Sequence, residues 1–282
     1  MEEPIYNEIK NNFGNKSNSF KLIYFIDEKE SSEIGIFGEV FVKNNKDKCH
    51  LIINEKEYEL RARYKFKTKG EQTITLVIDQ EITNFSNMFY FGVSVFSYHR
   101  NNLIDASSLE NLDTSKCEDF SNMFWRCKKI KDFDFLLKWD VANCKTFNAM
   151  FRCCEFSGVN FLSNWNLKNA VDLKYLFEGC RNLKDLEGIQ NWNVENVENF
   201  KGMCNWCSNI SDFNALQNWN MNKAKDVSSM FSNCTNLDNI DCFYKWNLNE
   251  KVKQDGIFNG CEKIENNIKS NNKSSPSSCL IF

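Results

Sequence analysis

From about residue 112 onward, the apolar residues recur neither at every second position nor at the 3.6-residue spacing of a long amphipathic helix. In the stretch Val194, Val197, Phe200, Met203, Cys207, Ile210, Phe213, Leu216, Trp219 they fall at every third position, with one four-residue step. A chain that turns gradually around a core, mixing short strands with tight helical turns, produces this spacing. Leu183, Leu186, Ile189, Trp192 and Leu237, Ile240, Phe243, Trp246 carry the same pattern.

The pattern is a tandem repeat. Trp139, Trp165, Trp192, Trp219 and Trp246 are 26, 27, 27 and 27 residues apart. Cys127, Cys154, Cys180, Cys207, Cys234 and Cys261 keep the same register, as do Met123, Met150, Leu176, Met203, Met230 and Ile257. Beside these run Phe124, Phe151, Phe177, Cys204, Phe231 and Phe258. Four columns in one register predict stacked coils, because one coil cannot bury its apolar face alone. Each buried large side chain contributes about 1.5–3 kcal/mol. The expected coil has a short strand near Leu183–Glu187, a corner at Trp192-Asn193, and a return through Val197, Phe200 and Met203. It closes with a helical turn over Met-Phe-x-x-Cys. The predicted fold is thus a leucine-rich-repeat-like solenoid of short parallel strands with helical turns.

An earlier, degraded copy precedes these. Phe85-Ser-Asn-Met-Phe89 recurs as Phe120-Ser-Asn-Met-Phe124, 35 residues on, which predicts an insertion at about 90–102. That insertion carries Tyr90, Phe91, Phe96, Tyr98 and His99, a local binding feature or a plug on the core. Residues 1–80 look different. Phe20–Ile26, Ile34–Val42, His50–Ile53, Tyr58–Tyr64 and Thr73–Ile78 are β-branched and aromatic runs separated by turn-forming clusters. They predict a small β-rich N-terminal cap shielding the first coil of a repeat unit at 81–264, with a tail at 265–282.

The segments Met-Phe-Trp-Arg-Cys127, Leu-Phe-Glu-Gly-Cys180 and Met-Phe-Ser-Asn-Cys234 lead through a Leu/Ile pair to Trp-Asn. In this they resemble the BspA-like leucine-rich repeats, and more closely the bacterial surface protein 26-residue repeat, also abundant in protists. The stretch Ile-Phe-Gly-Glu-Val-Phe-Val-Lys-Asn-Asn45, with Cys49 and Glu-Tyr-Glu-Leu60, is similar to the leader of protist members. The resemblance implies a solenoid used for protein contacts, with no catalytic residues to carry over.

Composition narrows the chemistry. The net charge is −3, no long basic run exists, and nucleic acid is not an expected partner. With two His, His50 and His99, no Cys–His or Ser–His nucleophile is assembled, and no phosphate loop or dinucleotide fingerprint is present. No enzyme activity, cofactor or metal is expected. The 13 Cys are read as reduced, mostly as a buried column. Coils about 4.8 Å apart would also bring the column within disulfide range. Cys204-Asn-Trp-Cys207 follows from the repeat, since Cys207 is the column residue and Cys204 stands where other copies have Phe. The richness in Asn and Lys is attributed to base composition. Asp132, Asp134, Asp185, Glu187, Asp212 and Asp241, interspersed with Asn160, Asn214 and Asn239, form a ribbon. It is either a solvated face or a stripe that attracts a basic partner.

The sequence finishes Ser-Ser-Cys279-Leu-Ile-Phe282, which fits a C-a-a-X prenylation signal. The final Phe favours a geranylgeranyl over a farnesyl group, attached by a prenyltransferase. One lipid gives reversible membrane binding. No export signal opens the chain, so a cytoplasmic protein partly associated with the cytosolic face of a membrane is expected. The function expected is a non-enzymatic scaffold or adaptor for an unknown protein partner. The alternative is a surface or secreted adhesin-like protein without a lipid anchor.

Overall fold

A computed structural model of the chain describes residues 18–28, 33–92 and 101–270. In chain order the regular elements are β1 (Ser19–Ile26), β2 (Glu33–Gly35), α1 (Glu39–Asn45), β3 (Cys49–Ile53), β4 (Lys56–Glu59), β5 (Arg63–Lys65), β6 (Gly70–Ile78), β7 (Leu103–Asp105), α2 (Asp241–Lys245) and α3 (Glu262–Ser270). Five strands form one sheet in the order β4-β3-β6-β1-β7, and β2 pairs with β5 in a second. Every one of these strand pairs is antiparallel.

Strict alternation explains the large sheet. β1 buries Phe20, Leu22, Tyr24 and Ile26 on one face, opposite the register partners Leu76 and Ile74 of β6. β3 turns back into β4 through Asn54 and Glu55, both with positive φ, the backbone a two-residue hairpin needs. The run Ile34–Val42, expected as one strand, divides at Gly38 into β2 and α1. At Gly38 the backbone touches the first repeat copy. Its N–H donates to the Met88 carbonyl at 2.9 Å, and a Cβ there would lie 2.0 Å from the Asn87 carbonyl oxygen.

The sheet and the repeat share one core. Phe37 stacks on Phe89 at 5.9 Å and Phe41 on Phe85 at 6.4 Å. The strand β7 follows the Phe85–Phe89 copy in sequence yet completes the sheet beside β1. Through Phe85, Phe120 and Phe147 the aromatic contacts continue into the repeats at 6.0 Å per step.

The expected leucine-rich-repeat-like solenoid of short parallel strands with helical turns is overturned. Among the described residues all strands lie between residues 19 and 105, in antiparallel sheets, and residues 106–240 contain no strand and no α-helix. The predicted strand at Leu183–Glu187 is turn and irregular backbone, and Met-Phe-x-x-Cys is a run of hydrogen-bonded turns. The cause lies in the backbone angles. From Asn122 on, each copy puts two residues in the left-handed region four positions apart, such as Asn122 and Arg126, Tyr175 and Gly179, or Gly202 and Trp206. Left-handed residues interrupt extended chain and cannot propagate a right-handed helix.

What forms instead alternates its hydrogen bonds. The N–H groups of Phe120, Asn122, Phe124 and Arg126 donate to carbonyls of the next copy at 2.8–3.1 Å. Those of Met123, Trp125 and Cys127, between them, donate three residues back within their own copy. Strand-like pairing between copies is limited to single parallel bridges, through Asn84, Asp119, Thr146, Asp172, Asn199, Asp226 and Lys253. Every backbone donor of this segment is thereby satisfied without a strand.

Candidate functional site

The residues singled out by the repeat are structural. Trp139, Trp165, Trp192, Trp219 and Trp246 are buried, and each Nε1–H donates to a carbonyl of the preceding copy. The acceptors are Leu109, Leu136, Leu162, Ile189 and Leu216, at 2.9–3.1 Å. The rings of Trp165, Trp192 and Trp219 lie 6.3 and 6.2 Å apart, within about 11° of parallel. An indole fits here because it is apolar over most of its area and has one donor to spend.

The cysteine column follows the same logic. The Sγ atoms of Cys154, Cys180, Cys207, Cys234 and Cys261 donate to the carbonyls of Phe124, Phe151, Phe177, Cys204 and Phe231 at 3.0–3.2 Å. Cys127 has Asn101 beside it instead. That amide donates both to the Cys127 sulfur at 3.0 Å and to the Phe89 carbonyl at 2.8 Å. Burial pushes the thiols of Cys127, Cys154, Cys180, Cys207 and Cys234 well above their ordinary range, and that of Cys261 up to about 12. Such thiols are neither nucleophiles nor easily oxidised. The twelve described cysteines are all free. No group of three or more His, Cys, Asp or Glu among the described residues is placed to hold a metal ion.

Of the acidic ribbon, Asp132, Asp134, Asp185, Glu187 and Asp241 are exposed and Asp212 is half-buried. Three of them close turns. Asp132, Asp185 and Asp212 accept the backbone N–H two residues on, at 2.7–3.1 Å, and Asn239 does the same for Asp241. Asp119, Asp140, Asn166, Asp172, Asn193, Asn199, Asn220, Asp226 and Asn249 make the same short loop elsewhere. The abundance of Asn and Asp thus has a structural use: each turn needs a side-chain acceptor at its first position. His50 places Nδ1 2.8 Å from an Asp79 carboxylate oxygen at the sheet. Cys279 and most of the 90–102 insertion, His99 included, lie outside the described residues.

The functional candidates that sequence reasoning missed flank the repeating Met-Phe pair, with Tyr90, Trp125, Arg152 and Glu178 one position beyond it. Tyr90 stacks face to face on Trp125, with ring centres 4.3 Å apart and planes 1° from parallel. The guanidinium of Arg152 lies 4.5 Å from the centre of the same indole and 5.5 Å from that of Tyr175. Glu178 holds Arg152: Nη2 donates to Oε1 at 3.0 Å, and Nε lies 2.8 Å from Oε2 but poorly aligned for a hydrogen bond. Burial pushes the Glu178 carboxyl up, and the Arg152 charge opposes that shift. Lys174 covers Tyr175 at 4.8 Å, and Arg181 lies 5.8 Å from the centre of Trp206. Trp206 is 47% exposed, a large share for an indole. The Nε1–H of Trp125 is buried without a hydrogen-bond partner among the described residues.

This ribbon borders a cleft of about 920 Å³ lined by, among others, Arg126, Lys128, Cys153, Gly179, Arg181 and Trp206. Local backbone sets its relief. Gly202, with φ +58°, lets Tyr175 lie flat, since a Cβ there would stand 2.5 Å from the Tyr175 ring. The signal available in the sequence was negative: a column carrying Tyr, Trp, Arg, Glu and Asn has no core to satisfy, so its bulky members face outward.

Fold and ribbon together describe a tandem-repeat protein whose copies carry a varied outer column on an invariant buried one. Three overlapping stretches, residues 60–157, 83–185 and 154–271, match the family described as Mycoplasma protein of unknown function, DUF285. Together they run from residue 60 to residue 271, well over half of the chain, and the chain belongs to that family. No curated protein and no solved structure matches it. No helix among the described residues is long and apolar enough to cross a membrane.

Proposed function

We propose that the chain is a non-enzymatic binding module, a scaffold or adaptor that holds a protein partner on the ribbon from Tyr90 to Trp206. The observation that carries this reading is the aromatic–guanidinium array of Trp125, Arg152, Tyr175, Arg181 and Trp206. Trp, Tyr and Arg are the residues that dominate protein contacts, because they offer large rigid surface together with hydrogen-bonding edges. Here they are pre-ordered by mutual stacking, so little side-chain entropy is lost on binding. A lipid tether on Cys279 at the cytosolic face of a membrane belongs to the proposal. Intact mass of the native protein tests it, with an added prenyl group and loss of Leu280–Phe282 expected, and an unmodified mass rejecting it.

The binding face is tested by light-driven cross-linking in native cells. A p-benzoylphenylalanine placed at Trp206 is expected to yield a discrete adduct, and one at exposed Asn193 in a neighbouring turn is not. Equal labelling from both positions, or none from Trp206, rejects this face.

A further inference from the structure

Resting on that reading, we propose that the cleft beside Trp206 recognises an acidic segment of the partner, an extended peptide rich in carboxylates. The relief of the cleft comes from one repeat column. Arg126, Cys153, Gly179 and Trp206 occupy equivalent positions in four successive copies. The two small residues in the middle line the cleft between Arg126 and Trp206. Copies joined by parallel bridges sit about 4.8 Å apart, so Arg126 and Trp206 stand roughly 14 Å from each other along the copies, the length of about four extended residues.

Its charge is lopsided. Arg126, Lys128, Lys129 and Arg181 line it against two carboxylates, Glu155 and Glu178. Both carboxylates are engaged: Glu178 with Arg152 at 2.8 Å, and Glu155 with Lys128 at 3.4 Å. Lys129 donates to the neutral Asn102 side chain at 2.8 Å. Arg126 and Arg181 have no carboxylate partner among the described residues. A cationic surplus inside a chain of net charge −3 is a local feature with a local use. Arg181 is held near the Trp206 ring. A guanidinium so placed keeps an edge free for the two parallel bonds a carboxylate accepts. Nucleic acid fits less well, because along the rest of the repeats exposed lysines such as Lys116, Lys138, Lys145 and Lys225 are paired with carboxylates.

The test is fluorescence anisotropy with a fluorescein-labelled dodecapeptide of alternating Glu and Ser and with its Gln-for-Glu twin. The purified full chain is expected to bind the Glu peptide and not the twin, and to release it as salt is raised. Arg126→Glu and Arg181→Glu should each weaken binding at least tenfold. Lys223→Glu, an exposed control elsewhere on the repeats, should leave it unchanged. Circular dichroism confirms that the variants are folded. Equal binding of the twin, indifference to both Arg variants, or tighter binding of a single-stranded DNA dodecamer overturns the proposal. Because these outcomes do not touch the Trp206 cross-link, loss of the ligand class and loss of the binding face are told apart.

Discussion

Replacing Trp192 with Phe tests whether the indole column holds neighbouring copies together. Trp192 is 5% exposed, stacks between Trp165 and Trp219, and gives its N–H to the Leu162 carbonyl at 3.0 Å. Phe keeps an aromatic ring but loses the donor and part of the surface. A buried carbonyl left without its partner costs about 1–3 kcal/mol. The missing ring atoms amount to one or two methylene equivalents, about 0.8–1.6 kcal/mol, before any cavity cost. The expected destabilisation is therefore about 2–5 kcal/mol. The half-exposed Trp206 supplies the control, because Trp206→Phe removes little buried area and should stay within about 0.5 kcal/mol. Urea unfolding followed by far-ultraviolet circular dichroism measures both. With a slope of about 1–3 kcal/mol per molar urea, Trp192→Phe should shift the midpoint down by roughly a molar unit. A double-mutant cycle with Trp165→Phe should show coupling of at least about 0.5 kcal/mol, as expected for residues in contact. Equal midpoints for Trp192→Phe and Trp206→Phe would refute the role given to the column.

Two further expectations follow from the same geometry. Burial raises the Asp172 carboxyl, opposed by the Lys174 N–H it accepts at 2.9 Å. A carboxyl raised on folding contributes stability below its unfolded value and loses it as pH climbs through the folded one. Asp172→Asn keeps the acceptor, as Asn199 does in the next copy. It should therefore be the more stable form at pH 7, with the advantage vanishing as pH falls below the carboxylate range, read from denaturation midpoints at several pH values. In a Cys279→Ser background, a thiol reagent should label one of the twelve described cysteines quickly, the half-buried Cys153, and the buried rest only after unfolding. Rapid labelling of several would contradict the closed column.

The apolar register along Trp192, Cys207 and Phe200 was legible without coordinates, because burying a face imposes its period on the residue types that supply it. The pairing mode was not. A three-residue period is compatible with strands joined by helical turns and equally with the turn ladder found here. The choice rests on left-handed backbone at positions such as Arg126, Cys153 and Trp206, whose side chains do not favour it and do not announce it. The break at Gly38 likewise depends on a carbonyl of Asn87, distant in sequence.

The chain by itself determined which residues are repeated and which must be dry, since those follow from hydrophobicity and spacing alone. Only the tertiary structure decided that the acidic ribbon spends Asp132, Asp185 and Asp212 on turns while Trp125, Arg152, Tyr175 and Trp206 meet on one surface. Side chains 27 or more residues apart become neighbours only through the hydrogen bonds between copies. A surface built across copies therefore leaves no mark in any single one of them.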